Sequence, residues 1–390
     1  MRRRLADVSL GRERPTDVKF SILVPSRNGG AFLPHLLKSA FAQTGDFEVV
    51  VSDNANTDDT AAVLASYAAD TRLRVVRSEE VISVTQNWLK ALRAARGRFF
   101  LMIGDDDLLL PNFFDRVEAA LARHGEPDCL TFNAYSYIAP GSFATDAPAY
   151  WSPQHFDLSK LRPECELSRK ERLDIVKAMF RFNVRFPLNM QLTLFSREAV
   201  ASVPGDFFRA PFPDHFALNS MLLRASRMVV TDKNLLIVGV SPKSFGHYYY
   251  GGRQREGTRY LGSEAAFPGM IEGSELVNSM HAWLMELRRT YPELGNVPIA
   301  RWQYVARQVN HWYRQVEFGM APQATLVGRS RSLRPSELAT VMLPMLGYRA
   351  IRRVSDRLRG RKRSYIGDSW PALRPSSHRT IAEFAASLPR

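Results

Sequence analysis

Cysteine is almost missing from this chain. Cys129 and Cys165 are the only two among 390 residues, too few for a disulfide framework or a cysteine-rich zinc cluster, and a reducing compartment is the default. Long apolar runs are missing as well. The basic start Met1-Arg2-Arg3-Arg4 is followed by no hydrophobic stretch, so it does not read as a secretory signal. The best candidate for a membrane span, Leu338 to Tyr348, is too short and contains Pro344. Glycine-rich phosphate loops are lacking too. The first turn holds Gly29-Gly30 without G-x-G-x-x-G, and no Walker lysine motif occurs, so a nucleotide would not be held in either of those ways.

Acid is in deficit, with 39 Asp and Glu against 53 Lys and Arg, a net charge of +14. The excess is local. From Arg329 to Arg363, eleven Lys or Arg stand against Glu337 and Asp356, leaving +9 in one segment near the C-terminus. Nucleic acid, anionic lipid or plain solvent could face such a segment. At 45% hydrophobic and 11% aromatic the chain can bury a substantial core.

Residues 1–16 are polar and are expected to be poorly ordered. Strand and helix patterns then alternate four times. Val18 to Pro25 is a strand, and Phe32, Leu33, Leu36, Leu37 and Ala40 mark a helix face. Phe47 to Val51 is the second strand, Leu73 to Val76 the third, and Val84 to Ala95 a helix ending near Gly97. The buried strand from Phe99 follows. This alternation predicts a mostly parallel central sheet flanked by helices. Further on, a helix over 112–123, a strand at Cys129–Phe132, and a long loop from Pro140 to Pro163 are expected. A helix over 169–180, an outer strand at Met190–Phe195, a helix opened by Asp214 and two strands at 227–230 and 235–240 complete the region. Beyond Gly252 helical patterns dominate, and a boundary is placed at 255. The predicted plan is a flexible 1–16, an α/β domain over 17–255 and a helical, basic extension over 256–390.

The run Gly104-Asp105-Asp106-Asp107 stands at the end of the Phe99 strand. Three adjoining carboxylates repel one another unless a cation or strong donors lie among them, and ligands of open α/β sheets bind at that end of a strand. The alternative is an acidic loop capping the helix that begins near Pro111.

Taken together, Val24-Pro25-Ser26-Arg27-Asn28, Ser52-Asp53-Asn54-Ala55-Asn56, the Asn87 helix with Gly97, and Gly104-Asp105-Asp106-Asp107 four residues before Pro111 resemble the family 2 glycosyltransferases. The resemblance covers roughly residues 18–245. It implies the GT-A nucleotide-diphospho-sugar transferase fold and an inverting sugar transfer from a nucleotide sugar, most simply a UDP-sugar. In that reading Asp53 hydrogen-bonds the nucleotide base, the alternative being a turn built with Asn56. Pro25 and Arg27 resemble donor contacts, Arg27 also serving phosphate. Asp105 faces the ribose and Asp106 the cation, with Asp107 an alternative or supporting ligand. Gly104 occupies the position where many members carry their first acid, a departure from the family pattern. His247 falls where relatives place a residue near the diphosphate and metal. Oxygen ligands imply Mn²⁺ or Mg²⁺. Asp214 resembles the catalytic base, the alternative being a helix cap, and His215 beside it reads as orientation or packing.

The extension resembles no family. Within 345–363, Tyr348, Ile351, Val354 and Leu358 form an apolar stripe among arginines. It reads either as a helix for an anionic membrane surface or as one packed on the domain with its arginines solvated. No nucleic-acid module accompanies the charge. The expected partners are therefore a nucleotide-sugar donor and a glycan or lipid-linked acceptor, in bacterial cell-surface polysaccharide assembly. The expected location is the cytoplasm, extending to a peripheral position at the inner face of the membrane. The competing class is a catalytically silent nucleotide-sugar-binding module.

Overall fold

The computed structural model describes residues 18–143, 146–158, 164–187, 189–244, 254–261, 265–360 and 372–389. The N-terminal segment expected to be flexible, and His247, lie outside them. The first half alternates as the pattern predicts: β1 (Phe20–Ser26), α1 (Leu33–Phe41), β2 (Phe47–Asn54), α2 (Thr60–Ser66), β3 (Leu73–Ser78), α3 (Val84–Ala94) and β4 (Phe99–Met102). β1 lies between β2 and β4, β3 flanks β2, and all these pairings are parallel. Every residue of β4 is buried, as a strand covered on both faces requires. Ser83 and Gln86 close a capping box that starts α3.

β5 (Leu108–Leu109), α4 (Phe113–Arg123), β6 (Cys129–Ile138), β7 (Ala149–Ser152), β8 (Cys165–Glu166), α5 (Arg169–Met179), β9 (Thr193–Ser196), α6 (Arg197–Ala201), α7 (Pro213–Arg224) and β10 (Met228–Val240) follow. Three local expectations change. β9 is not an outer strand: it lies antiparallel between β4 and β6. Met228–Val240 forms one strand rather than two, its register against β6 shifting around Asn234 where the polar Thr231-Asp232-Lys233 interrupts the apolar run. The expected loop from Pro140 contributes β7, which pairs with β6. β10 accompanies β6 along its length, while β9 takes the first part of β6 and β7 the last.

Alternate strand residues feed two cores. Ile22, Val49 and Leu101 meet α1 and α4 on one side. Leu23, Val50 and Phe100 face the other side, and that cluster continues through α5 and α7 into Trp283, Leu287, Val309 and Trp312. These last residues come from the helices Glu275–Thr290 and Arg301–Glu317, capped on the first by Ser274. The C-terminal region is helical as expected, with one exception. β11 (Arg374–Ser376) pairs antiparallel with β7 and lengthens the sheet. The helix Ile381–Ser387 then lays Phe384 against Tyr137 and Trp151.

Candidate active site

A cleft of about 870 Å³ opens where β1 and β4 end, large enough for a small-molecule ligand of several hundred cubic ångströms. Its lining includes Pro25, Arg27, Asp105, Asp106 and Asp214. The structure thus gathers five of the sequence-predicted residues from three separate stretches of the chain.

The acidic turn is held in place from both sides. Ser26 at the end of β1 donates its hydroxyl to Oδ2 of Asp105 at 2.6 Å. Asp106 accepts from the Ser244 hydroxyl and from the Ser241 N–H at 3.2 Å, both in the turn after β10. β5, immediately after the aspartates, pairs with Leu236 and Ile237 of β10, which brings that turn to the site. Gly239 is small of necessity: a Cβ there would stand 1.8 Å from the Asp106 carbonyl oxygen. Asp107 is buried, and its carboxylate accepts the N–H groups of Gly104 at 2.6 Å and Gly239 at 2.9 Å. It is not among the residues lining the cleft. Its position is that of a clasp between the turn and β10.

Burial, with the neighbouring Asp106, pushes Asp105 up to about 7. Burial likewise raises Asp106, and burial with Asp106 raises Asp107 well above the carboxylate range. An ion that neutralised this pair would relieve the repulsion. Among the described residues no group of three or more His, Cys, Asp or Glu side chains could hold a metal. Two carboxylates still fit Mg²⁺ or Mn²⁺, which keep waters and take further oxygens from phosphates. Asp105 and Asp106 are the residues that would hold it.

Asp53 is placed differently. It is fully buried in β2; Oδ1 accepts from Asn56 N–H at 2.9 Å and Oδ2 is paired with Arg77 at 2.7 Å. It builds the turn and does not line the cleft. Arg27 donates to the Ala55 carbonyl at 2.6 Å, tying the first turn to the second. Asp214 lies in the first turn of α7, after Pro213, with its Oδ1 accepting its neighbour's N–H at 2.9 Å. His215 stacks on Phe212 and meets Trp283 edge-on, a packed ring as expected.

Two features escaped the sequence reading. Lys243 lines the cleft and donates to the Asn28 carbonyl at 2.7 Å, 3.8 Å from Asp58. Its turn, Ser241-Pro242-Lys243-Ser244, carries no motif, and only the pairing of β10 with β5 reveals its place. His155, from the stretch read as loop, also borders the cleft, held by Ser136 at 2.8 Å and Asn189 at 3.0 Å.

A sheet covered on both faces, with an acidic turn at the end of β4 and an acid at the start of α7 lining one cleft, has the arrangement that the GT-A resemblance predicts. Residues 21–175 match the model of glycosyl transferase family 2. The chain is 33% identical over 116 residues to a PGL/p-HBAD biosynthesis glycosyltransferase of Mycobacterium bovis, covering 29% of this chain and 45% of that protein. Glycosyltransferase GlyG of Streptococcus pneumoniae is 22% identical over 220 residues, covering 56% of this chain and 69% of GlyG. Among solved structures, S. aureus TarS 1–349 in complex with UDP-GlcNAc aligns over 77% of this chain and 73% of its own, at 18% identity and a TM-score of 0.49. The chain spans less than half the length of the mycobacterial relative.

Proposed function

We propose that this chain is an inverting, metal-assisted glycosyltransferase that moves a sugar from a UDP-sugar to a hydroxyl of a glycan or lipid-linked acceptor in bacterial cell-surface polysaccharide assembly. The observation that carries the reading is one cleft holding the acidic pair Asp105 and Asp106 together with Asp214. Asp214 takes the acceptor's proton as the hydroxyl attacks the anomeric carbon. Arg27 and Lys243 supply positive charge for the diphosphate. For Asp53 to receive the base, Arg77, 57% exposed, must release Oδ2. A divalent cation bound by Asp105 and Asp106 would neutralise charge on the departing nucleoside diphosphate. A lipid-linked acceptor puts the enzyme at the inner membrane surface as a peripheral protein; among the described residues no helix is long and apolar enough to cross a membrane.

The direct test is thermal stability with UDP-sugars, with and without Mn²⁺, since a ligand of the folded state raises its stability. Metal-dependent stabilisation together with donor turnover is the expected result. No stabilisation by any nucleotide sugar would overturn the reading; binding without transfer or donor hydrolysis would leave a silent module.

A further inference from the structure

The helix Leu343–Leu358 turns Met345 onto the core but leaves most of its large apolar side chains outside. Its inward face also carries charge: Arg349, only 8% exposed, donates to Glu317 and, at 2.7 Å, to Asn310, both on the helix Arg301–Glu317. Its guanidinium also lies 5.7 Å from the centre of the Tyr313 ring. The outward face is apolar. Leu343, Leu346, Ile351, Val354 and Leu358 recur at helical spacing and are 50–83% exposed. A helix packed only to complete a core would turn these residues the other way.

From this arrangement we infer that the outward face of the helix Leu343–Leu358 is a docking surface for an anionic lipid bilayer. The Arg349–Glu317 pair fixes the rotation of the helix about its axis and keeps the leucines, isoleucine and valine outward. Arg353, Arg357 and Arg359 are exposed along the same helix end, where they meet lipid headgroups while the apolar side chains enter the acyl boundary. At 1.5 Å per residue the helix is about 24 Å long, with Pro344 in its first turn, and its one-sided apolar stripe suits a position in the plane of the surface. Charge selects the occupant. A second copy of this chain would bring the same arginines face to face, whereas phosphatidylglycerol headgroups complement them. The surface gives the membrane setting of the proposed function its physical basis and rests on that setting for its biological sense. Its test, however, uses no nucleotide sugar.

The full chain is mixed with vesicles of phosphatidylcholine alone, or of phosphatidylcholine with phosphatidylglycerol, and floated on a density gradient. The wild type is expected to float with the anionic vesicles only and to be released by high salt. The double variant Ile351→Glu, Leu358→Glu should lose binding by ~10-fold or more with an unchanged melting temperature, because both side chains are already in solvent. Arg353→Glu with Arg357→Glu should remove the preference for phosphatidylglycerol. A wild type that stays unbound, or a double variant that binds equally well, overturns the inference. So does a wild-type dimer that the same variant turns into a monomer without any vesicle binding, which would assign the face to a second copy. Retained stabilisation of the double variant by nucleotide sugar would show that the cleft and the docking face fail or succeed separately.

Discussion

Gly29 and Asp105 leave each other no room: a Cβ on Gly29 would stand 1.9 Å from Oδ2 of Asp105 and 2.7 Å from the Ser26 hydroxyl that holds that oxygen. Gly29→Ala therefore has to push the carboxylate off its seat, while the fold can stay, because only side-chain atoms give way. Metal-dependent binding of a UDP-sugar, read by calorimetry, should weaken by ~10-fold or more, the loss of a charge-assisted interaction. Affinity equal to the wild type would mean that Asp105 takes no part in donor binding.

Asp214→Asn isolates proton transfer. The amide preserves size and the contact with the His215 N–H, so donor and metal binding should remain near wild type. Transfer should fall by ~10²-fold or more, with kcat reduced and the donor constant little changed. Near-normal transfer would place the base elsewhere, with His215, which also lines the cleft, to be tried next.

Stability should depend on pH through buried histidines. Burial pushes His155, His281 and His311 down to about 4, with nearby arginines adding to the effect at the last two. In the unfolded chain each titrates near ~6.5. Between these values the unfolded state binds more protons, so stability is fully present above pH ~6.5 and falls as the pH drops toward ~4. Urea unfolding across this window should report an uptake approaching three protons from these groups. His155→Gln should reduce the slope by one proton; an unchanged slope would show that His155 is protonated in the fold.

Phe384 tests whether the returning C-terminal helix is part of the body built on the sheet. It is 3% exposed and packs against Tyr137 at 5.5 Å and Trp151 at 5.5 Å between ring centres. Phe384→Ala should cost roughly 3–5 kcal/mol, the usual loss for an emptied aromatic site, measured as a shift of the urea midpoint. A cost near zero would show a helix that merely rests on the sheet.

The first four strands were legible because each is a short apolar run closed by a turn residue, and one buried parallel strand looks much like another. The place of the acidic turn was legible: Asp105 and Asp106 do line the cleft. What Asp107 does was not, since nothing local distinguishes a carboxylate facing the cleft from one accepting the N–H groups of Gly104 and Gly239. β5 has only two residues, and its partners Leu236 and Ile237 lie far along the chain. β9 looked peripheral because its alternation says nothing about neighbours, which topology alone assigns. The stripe of the helix Leu343–Leu358 was visible, but which way it faces depends on Arg349 finding Glu317. Periodicity gives the angle between faces and not which of them is turned inward.

The pairing of β11 with β7 also sets an order of events at the ribosome. Tyr137, at the end of β6, donates its hydroxyl to the carbonyl of His378, 241 residues later. At ordinary rates of elongation the interval is on the order of ten seconds to a minute. Once β7 has been made, and until β11 follows, the edge that β11 will cover lacks its partner strand, the kind of edge that recruits strands from other chains. A nascent chain stalled within the helical region therefore carries most of the cleft and an open sheet at the same time, so that aggregation during synthesis is a hazard this topology creates.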